Sequence, residues 1–240
     1  MTQINTLTDG TDTRTRRLTG LFGIAFVVLF AVGAIALQGS PTPYDAALTE
    51  TRSFFQDNNA YLLGDYLAGL AFILCFLPYV VGLRVVLGAA ERGPALGARL
   101  VLVGGLATVL IGDASTVFLD TLALGDGGQQ LGDSTVRALL YANTMAIAAI
   151  GLPMALFGFA AAAVVWCSGI LGRPLAVLAA AAGVLHTVGA AFPVEGDPDG
   201  VLFTLRFAGL VAFLFFVLVS SVTLVTRGRV SQREPAGRTG

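Results

Sequence analysis

The chain has 240 residues, of which 55% are hydrophobic and 12% charged, and its mean hydropathy of +0.81 is too apolar for an ordinary soluble domain. Nearly all of it lies in apolar stretches longer than strands, which predicts one all-α domain in a lipid bilayer and argues against an outer-membrane barrel. All 14 basic residues are arginine, so a lysine Schiff base and a Walker A loop are excluded, and the net charge of -1 argues against a nucleic-acid partner.

A polar segment precedes the first apolar stretch. Residues 1–17 are rich in Thr and Asp and end in Arg16 and Arg17, which predicts a disordered cytoplasmic tail. The first predicted span covers residues 18–38. Its Ala34-Ile35-Ala36 would also fit a cleaved signal sequence, but an apolar run of about 20 residues is longer than a signal peptide needs. A retained membrane anchor is therefore the favoured interpretation.

Five further apolar segments are each near or above the length of about 20 residues that crosses a bilayer. Pro78 and Pro153 lie inside two of them and predict kinks, because proline removes a backbone hydrogen bond. Small residues in the third and fifth spans predict that these two helices are interior. The membrane domain is thus predicted over 18–226, with a second disordered cytoplasmic tail at 227–240. The five segments are 61–87, 98–122, 136–167, 174–192 and 201–226.

The placement of arginine predicts the orientation of the chain. With the N-terminus in the cytoplasm, only Arg52, Arg137 and Arg206 among the 14 arginines fall on the outer side. Cytoplasmic segments of membrane proteins carry this excess of basic residues. Six crossings then return the C-terminus to the cytoplasm as well.

The first outer loop carries the signals of a short helix. Thr42-Pro43-Tyr44-Asp45 combines an N-cap, a proline at the first helical position and an acid in the first turn. Apolar residues then recur at near-helical spacing as far as Phe54 and Phe55. We expect an amphipathic helix that lies on the outer leaflet, and a helix that caps the bundle fits the pattern about as well.

Ionisable and amide side chains inside the spans are the main functional signal. Each charge costs about 2.5 to 3.5 kcal/mol at the centre of a membrane helix, so these groups should face each other or a wet cavity. Asp113, Thr116 and Asp120 share one face of the third span at spacings of three and seven residues. The pattern predicts an outward-facing polar pocket closed on the cytoplasmic side. Its candidate ligand-binding residues are Asp65, Asp113, Asp120, Asn143, His186 and Arg206.

Two interpretations of these residues remain open. In the first, Arg206 neutralises Asp113 or Asp65, and the charges only fix how the helices pack, as in a structural or accessory subunit. In the second, Arg206 and His186 bind a small polar or anionic ligand from outside, or Asp113 and His186 exchange a proton. An intramembrane enzyme that uses Asp113 and His186 ranks below both.

The sequence lacks residues that several kinds of metal, haem and hydrolase site require. His186 is the only histidine, so a zinc hydrolase centre and a bis-histidine haem are not expected within one chain, and no HExxH or GxSxG motif occurs. We predict no metal, no cofactor and no catalytic residue. Cys75 and Cys167 stand in separate spans without CxxC spacing and are predicted to be buried structural thiols.

Three short motifs carry a resemblance to a known family. They are Arg-Arg-Leu-Thr-Gly at 16–20, Asn-Asn at 58–59 and Gly-Ile-Leu-Gly-Arg-Pro-Leu at 169–175. With this layout the chain resembles a group of bacterial six-helix integral membrane proteins classed as a domain of unknown function. The resemblance implies a multi-pass protein of the bacterial plasma membrane, with the lipid bilayer as its surroundings, and implies no activity. A homo-oligomer or a complex with a partner subunit is compatible with it.

Overall fold

The computed structural model describes residues 3–38, 45–57, 59–91, 93–124, 128–197 and 200–230, and these form helices without a strand. Two stretches, named π1 and π2, are π-helical, so that each backbone N–H bonds five residues back. The elements are α1 (Gln3–Phe30), π1 (Ala31–Leu37), α2 (Leu48–Asp57), α3 (Asn59–Leu70), π2 (Ala71–Phe76), α4 (Leu77–Ala90), α5 (Leu96–Leu124), α6 (Asp133–Ser168), α7 (Arg173–Gly189), α8 (Phe192–Glu195) and α9 (Val201–Val230).

Six helical segments in the described part are long and apolar enough to cross a membrane, which confirms the predicted all-α bundle with six spans. The segment 3–17, predicted to be disordered, forms the first part of α1. Once a helix is nucleated, each further residue adds a hydrogen bond at little cost, so α1 extends beyond its apolar part. Residues 231–240 of the second predicted tail lie outside the described residues. The spans are Thr13–Leu37, Ala60–Ala90, Leu96–Leu124, Asp133–Ser168, Arg173–Glu195 and Val201–Thr226.

The six spans form a ring in which each packs on the next and the first packs on the sixth. Aromatic rings fill the middle: Phe76, Phe157 and Phe213 lie with their centroids 5.6 to 6.0 Å apart. Outward-facing side chains are apolar, as with Leu110, which is 70% exposed. A bundle that is apolar inside and outside is suited to lipid. No span lies inside the ring, so the prediction that the third and fifth are interior is wrong, and the fourth is the most buried.

The two prolines affect their helices differently. π2 ends two residues before Pro78, whose missing N–H leaves the carbonyl of Leu74 without its usual α-helical donor. The second span therefore changes from α to π geometry and back at this point. The fourth span, by contrast, runs as one α-helix through Pro153.

α2 packs against one end of the bundle, which we call the α2 end. Phe55 is 3% exposed and lies in a small apolar cluster with Tyr61, Leu119 and Leu140. Arg52 ties α2 to the start of α6 with an ion pair to Asp133 at 2.9 Å and a second hydrogen bond to a backbone carbonyl. The helix-start residues 42–44 lie outside the described residues.

Two glutamates cap the helix that follows them in the same way. The carboxylate of Glu91 accepts hydrogen bonds from the backbone N–H groups of Gly97 and Ala98 at 2.9 and 3.0 Å. Glu195 accepts from residues 201 and 202 at the same sequence spacing. Both satisfy N–H groups that a helix start leaves open and place a negative charge at the positive end of the helix dipole. The start of α9, capped by Glu195, lies at the α2 end, and the start of α5, capped by Glu91, lies at the opposite end.

The two cysteines differ in their surroundings. Cys75 lies in π2 and is 8% exposed, as predicted. Cys167 is exposed, so its predicted burial is wrong. Cys167 lies near the end of α6 beside Trp166, on the outward face of that helix. The burial was not predictable because a helix that is apolar on all sides gives no sign of which side faces the ring.

Candidate functional site

The six predicted site residues do not converge on one point. Three of them meet between the second and third spans, and two meet between the fifth and sixth. In a ring of six helices these two interfaces lie on opposite sides. We call Asp65, Asp113 and Asp120 the acidic group, and His186 and Arg206 the basic group.

Asp65 is the buried member of the acidic group, with 7% of its surface exposed. The amide Nε2 of Gln38, at the end of the first span, donates to its Oδ1 at 2.8 Å. Across the interface the carboxyl of Asp120 and the hydroxyl of Thr116 interact with it. Asp65 thus joins the first, second and third spans through polar contacts.

The α5 members of the acidic group lie on one helix face, as predicted. Asp113 is exposed, and a Cβ added to Gly69 would lie 3.7 Å from its Oδ1. Asp120 is half-buried, and its Oδ1 is buried without a hydrogen-bond partner in the described part of the chain. Thr116 lies between them. Along this face the exposure of the acidic side chains increases from half-buried Asp120 to exposed Asp113.

The basic group is assembled by two glycines. A Cβ on Gly189 would fall 2.6 Å from the Arg206 backbone, and one on Gly209 would fall 3.3 Å from Nδ1 of His186. α7 and α9 can approach this closely only because both positions lack a side chain. The Arg206 guanidinium lies 5.5 Å from the centre of the Phe192 ring, a cation–π contact that holds its direction.

The polar atoms of the basic group lack partners. His186 is 2% exposed, and neither of its ring nitrogens makes a well-aligned hydrogen bond in the described part of the chain, although the backbone of Gly209 lies against the ring. Over the same residues no carboxylate lies within ion-pair distance of Arg206. The predicted neutralisation of Arg206 by Asp113 or Asp65 is therefore not seen. Buried polar groups in proteins are normally paired, so this is a place where a further group would be stabilised.

Asn143 belongs to neither group. A Cβ on Gly151 would lie 3.0 Å from the carbonyl oxygen of His186. Gly151 is therefore the α6 residue at the same height in the bundle as the basic group. Asn143 precedes Gly151 by eight residues, or about 12 Å along a helix, toward the α2 end. Counting from the predicted span ends placed Asn143 and His186 at one level. α6 begins only three residues before its predicted start, so most of the offset arises because α6 extends further than α7 and α9 toward the α2 end.

A third polar group lies in the half of the bundle away from α2, where we expected only apolar contacts. The hydroxyls of Tyr79 and Ser220 lie 2.7 Å apart, with both residues fully buried. Ser221 is equally buried beside them, against Gly23. The Ser-Ser pair in the middle of the apolar sixth span was the available sequence signal. The half of the bundle away from α2 therefore also contains buried polar contacts.

No family model matches this chain, and neither the curated proteins nor the solved structures contain a significant match to it. The resemblance to the six-helix family of unknown function stays a prediction. No group of three or more potential metal ligands occurs in the described part of the chain.

Proposed function

We propose that this chain is a multi-pass protein of a bacterial plasma membrane that binds a small ligand with an anionic group at Arg206 and His186. The arginine distribution supports an orientation with both termini in the cytoplasm. In that orientation the α2 end faces outward, α2 is the helix of the first outer loop, and the basic group lies in the outer half of the bundle. Arg206 is five residues from the start of α9, or about 7.5 Å from the helix end.

The observation that carries the proposal is the missing partner of the basic group. A guanidinium within a membrane span needs a compensating charge or water. Arg206 has an aromatic ring on one side and no carboxylate within ion-pair distance in the described residues, and no well-aligned hydrogen bond reaches the buried His186 ring beside it. An oxyanion between them would satisfy both side chains.

The two side chains offer complementary hydrogen-bonding groups. The planar guanidinium of Arg206 presents parallel N–H donors that match the two oxygens of a carboxylate or phosphate. A neutral imidazole contributes one donor and one acceptor, so His186 can also bind a hydroxyl or a protonated oxygen of the ligand. This combination favours a small hydroxylated or partly protonated anion over a simple halide.

Thermal unfolding of the purified protein tests the proposal. Inorganic phosphate, sulfate and acetate serve as probes against chloride at equal ionic strength, because a ligand that binds only the folded protein raises the unfolding temperature by an amount that grows with the ratio of its concentration to Kd. We expect at least one oxyanion to stabilise the wild type and Arg206→Gln to abolish that shift. His186→Leu, which keeps the volume and removes the hydrogen-bonding atoms, should weaken it.

A matched control uses the other arginine that stacks on a ring. Arg173 lies 5.6 Å from the Trp166 ring centre at the opposite end of the bundle. Arg173→Gln removes the same charge and the same kind of contact, and should keep the oxyanion shift. Equal loss in both variants, or no shift with any oxyanion in the wild type, contradicts the proposal.

A structural or accessory subunit is the second candidate. The hydrogen bond between Gln38 and Asp65 favours it, since this contact joins two spans and leaves Asp65 almost fully buried. Under this alternative Arg206→Gln and His186→Leu change only stability, no oxyanion shifts the unfolding temperature, and a second membrane protein co-purifies in stoichiometric amount.

A further inference from the structure

We propose that π1 and α3 form a hinged arm that swings away from α5 about π2, and so opens the interface that contains the acidic group. The arm is defined as residues 31–38 and 59–70. The device goes beyond the anion site, which lies on the opposite side of the ring, and does not depend on it.

The two parts of the arm are joined tightly to each other. A Cβ added to Gly33 would lie 2.6 Å from the carbonyl oxygen of Gly64, and one added to Gly64 would lie 2.6 Å from the backbone N of Gln38. The hydrogen bond between Gln38 and Asp65 fastens the same pair of segments near the α2 end. Backbones in direct contact, with a hydrogen bond across them, move as one body.

Both spans that form the arm are π-helical where they join the rest of the bundle, since π1 is the first part of the arm itself and π2 follows its last residue. π1 follows α1 directly after Phe30, and π2 follows α3 directly after Leu70. A π turn has poorer backbone geometry than an α turn, and one residue can be passed along it to bend or rotate the helix. Pro78 prevents π2 from closing into a regular α-helix, because it supplies no N–H. The irregular turns lie at the positions where a hinge would need them.

The packing against α5 differs on the two sides of the hinge. On the α4 side a Cβ at Gly105 would lie 2.5 Å from Val80, and Val80 belongs to the main core. On the arm side Asp65 faces Asp120, and Gly69 faces Asp113. The acidic group thus lies between the main core and the small cluster that contains Tyr61. Apolar side chains pack α4 against α5, whereas the polar side chains of the acidic group lie between the arm and α5.

A latch in the small cluster keeps the arm closed. Phe55 of α2 meets Tyr61 of the arm at a ring distance of 5.1 Å in an edge-to-face contact. Both rings are at least 97% buried. Tyr61 is the first large apolar contact beyond the acidic group, so removal of Phe55 should release the arm and leave the main core unchanged.

Electron spin distance measurements on the full chain in lipid nanodiscs test the hinge. The background is Cys75→Ala/Cys167→Ala. One spin-label pair replaces the exposed residues Leu63 and Val188 and reports the arm across the ring. A second pair replaces the exposed residues Val85 and Val177 and reports the half below the hinge. Leu63 lies eight residues, or about 12 Å, from the start of π2, so a swing of about 15° moves it by about 3 Å.

Phe55→Ala should add a second distance component to the arm pair, displaced by about 3 Å, and leave the lower pair single and narrow. Addition of Pro78→Ala to the Phe55→Ala variant should reduce that component several-fold, since alanine restores the backbone N–H donor at position 78. Phe215→Ala, which removes an exposed ring on α9, is the control and should change neither pair. A single narrow distribution for the arm pair in Phe55→Ala, or equal broadening of both pairs, overturns the proposal.

Discussion

The hydroxyls of Tyr79 and Ser220 lie 2.7 Å apart between the second and sixth spans, and neither residue is exposed. The contact links two helices at a level where buried Ser221 is the other polar neighbour. In lipid such an interhelical hydrogen bond contributes about 0.6 kcal/mol on average, and at most about 1.7 kcal/mol.

The Tyr79–Ser220 pair should show coupling in a double-mutant cycle. Tyr79→Phe and Ser220→Ala should each lower the free energy of unfolding by about 0.5 to 2 kcal/mol. Ser220→Ala should cost more, because it leaves the Tyr79 hydroxyl without a partner, whereas in Tyr79→Phe the Ser220 hydroxyl keeps its hydrogen bond to the carbonyl of Val217. The double variant should cost less than the sum of the two. Unfolding in mixed micelles of SDS and a mild detergent measures these changes. Strict additivity would show that the two hydroxyls do not interact.

Gly23 should be intolerant of a side chain. An added Cβ would overlap Ser221 Oγ and lie 2.7 Å from the ring of Tyr79, so Gly23→Ala must displace the Ser221 side chain and the Tyr79 ring. Gly112→Ala is the matched control, since nothing lies within 4 Å of a Cβ at that position. Alanine is favoured over glycine in a helix by about 1 kcal/mol, so the control should be neutral or stabilising. Similar unfolding temperatures for the two variants would contradict the close approach at Gly23.

Arg52 should matter more to the position of α2 than its ion-pair partner does. Asp133 is 74% exposed at its side chain, and an exposed ion pair contributes only about 0 to 1 kcal/mol. Arg52 also donates to the carbonyl of Leu131, and its own side chain is only 19% exposed. Arg52→Ala should therefore raise the hydrogen exchange of α2 amides well above the level in Asp133→Ala. Equal exchange in both variants would reduce the role of Arg52 to the ion pair alone.

The proposed orientation can be checked with single cysteines in the Cys75→Ala/Cys167→Ala background. Val194 is 88% exposed at the α2 end, and Ser168 is exposed at the opposite end. A membrane-impermeant maleimide added to intact cells should label Val194→Cys and should label Ser168→Cys only after permeabilisation. The reverse pattern would place both termini outside.

The glutamate caps should be sensitive to charge as well as to hydrogen bonding. Glu91→Gln keeps one acceptor oxygen for the start of α5 and loses the charge, whereas Glu91→Ala loses both. We expect Glu91→Ala to lower the free energy of unfolding by about 1 kcal/mol and Glu91→Gln by less. Unfolding in mixed micelles measures both. The same loss in both variants would assign the whole effect to the charge.

The membrane fold was predictable because its determinants are local. An apolar run of about 20 residues must be helical in lipid, where each backbone group needs a partner within its own segment. The helical phase also placed Asp113, Thr116 and Asp120 on one face without any knowledge of their neighbours. The relative heights of the helices were less predictable, since α6 extends past its neighbours toward the α2 end and Asn143 therefore does not lie at the level of His186.

By itself the sequence determined that six helices cross a bilayer and that a few polar side chains lie within them, since both follow from what hydrocarbon can solvate. Only the tertiary structure decided which of those side chains meet. Ring closure sets Asp65 and Asp120 on one side and His186 and Arg206 on the other, and it brings Tyr79 to Ser220. The reason is that partners of a buried polar group come from other helices, and the pairing of helices depends on packing that apolar sequences of similar composition do not specify.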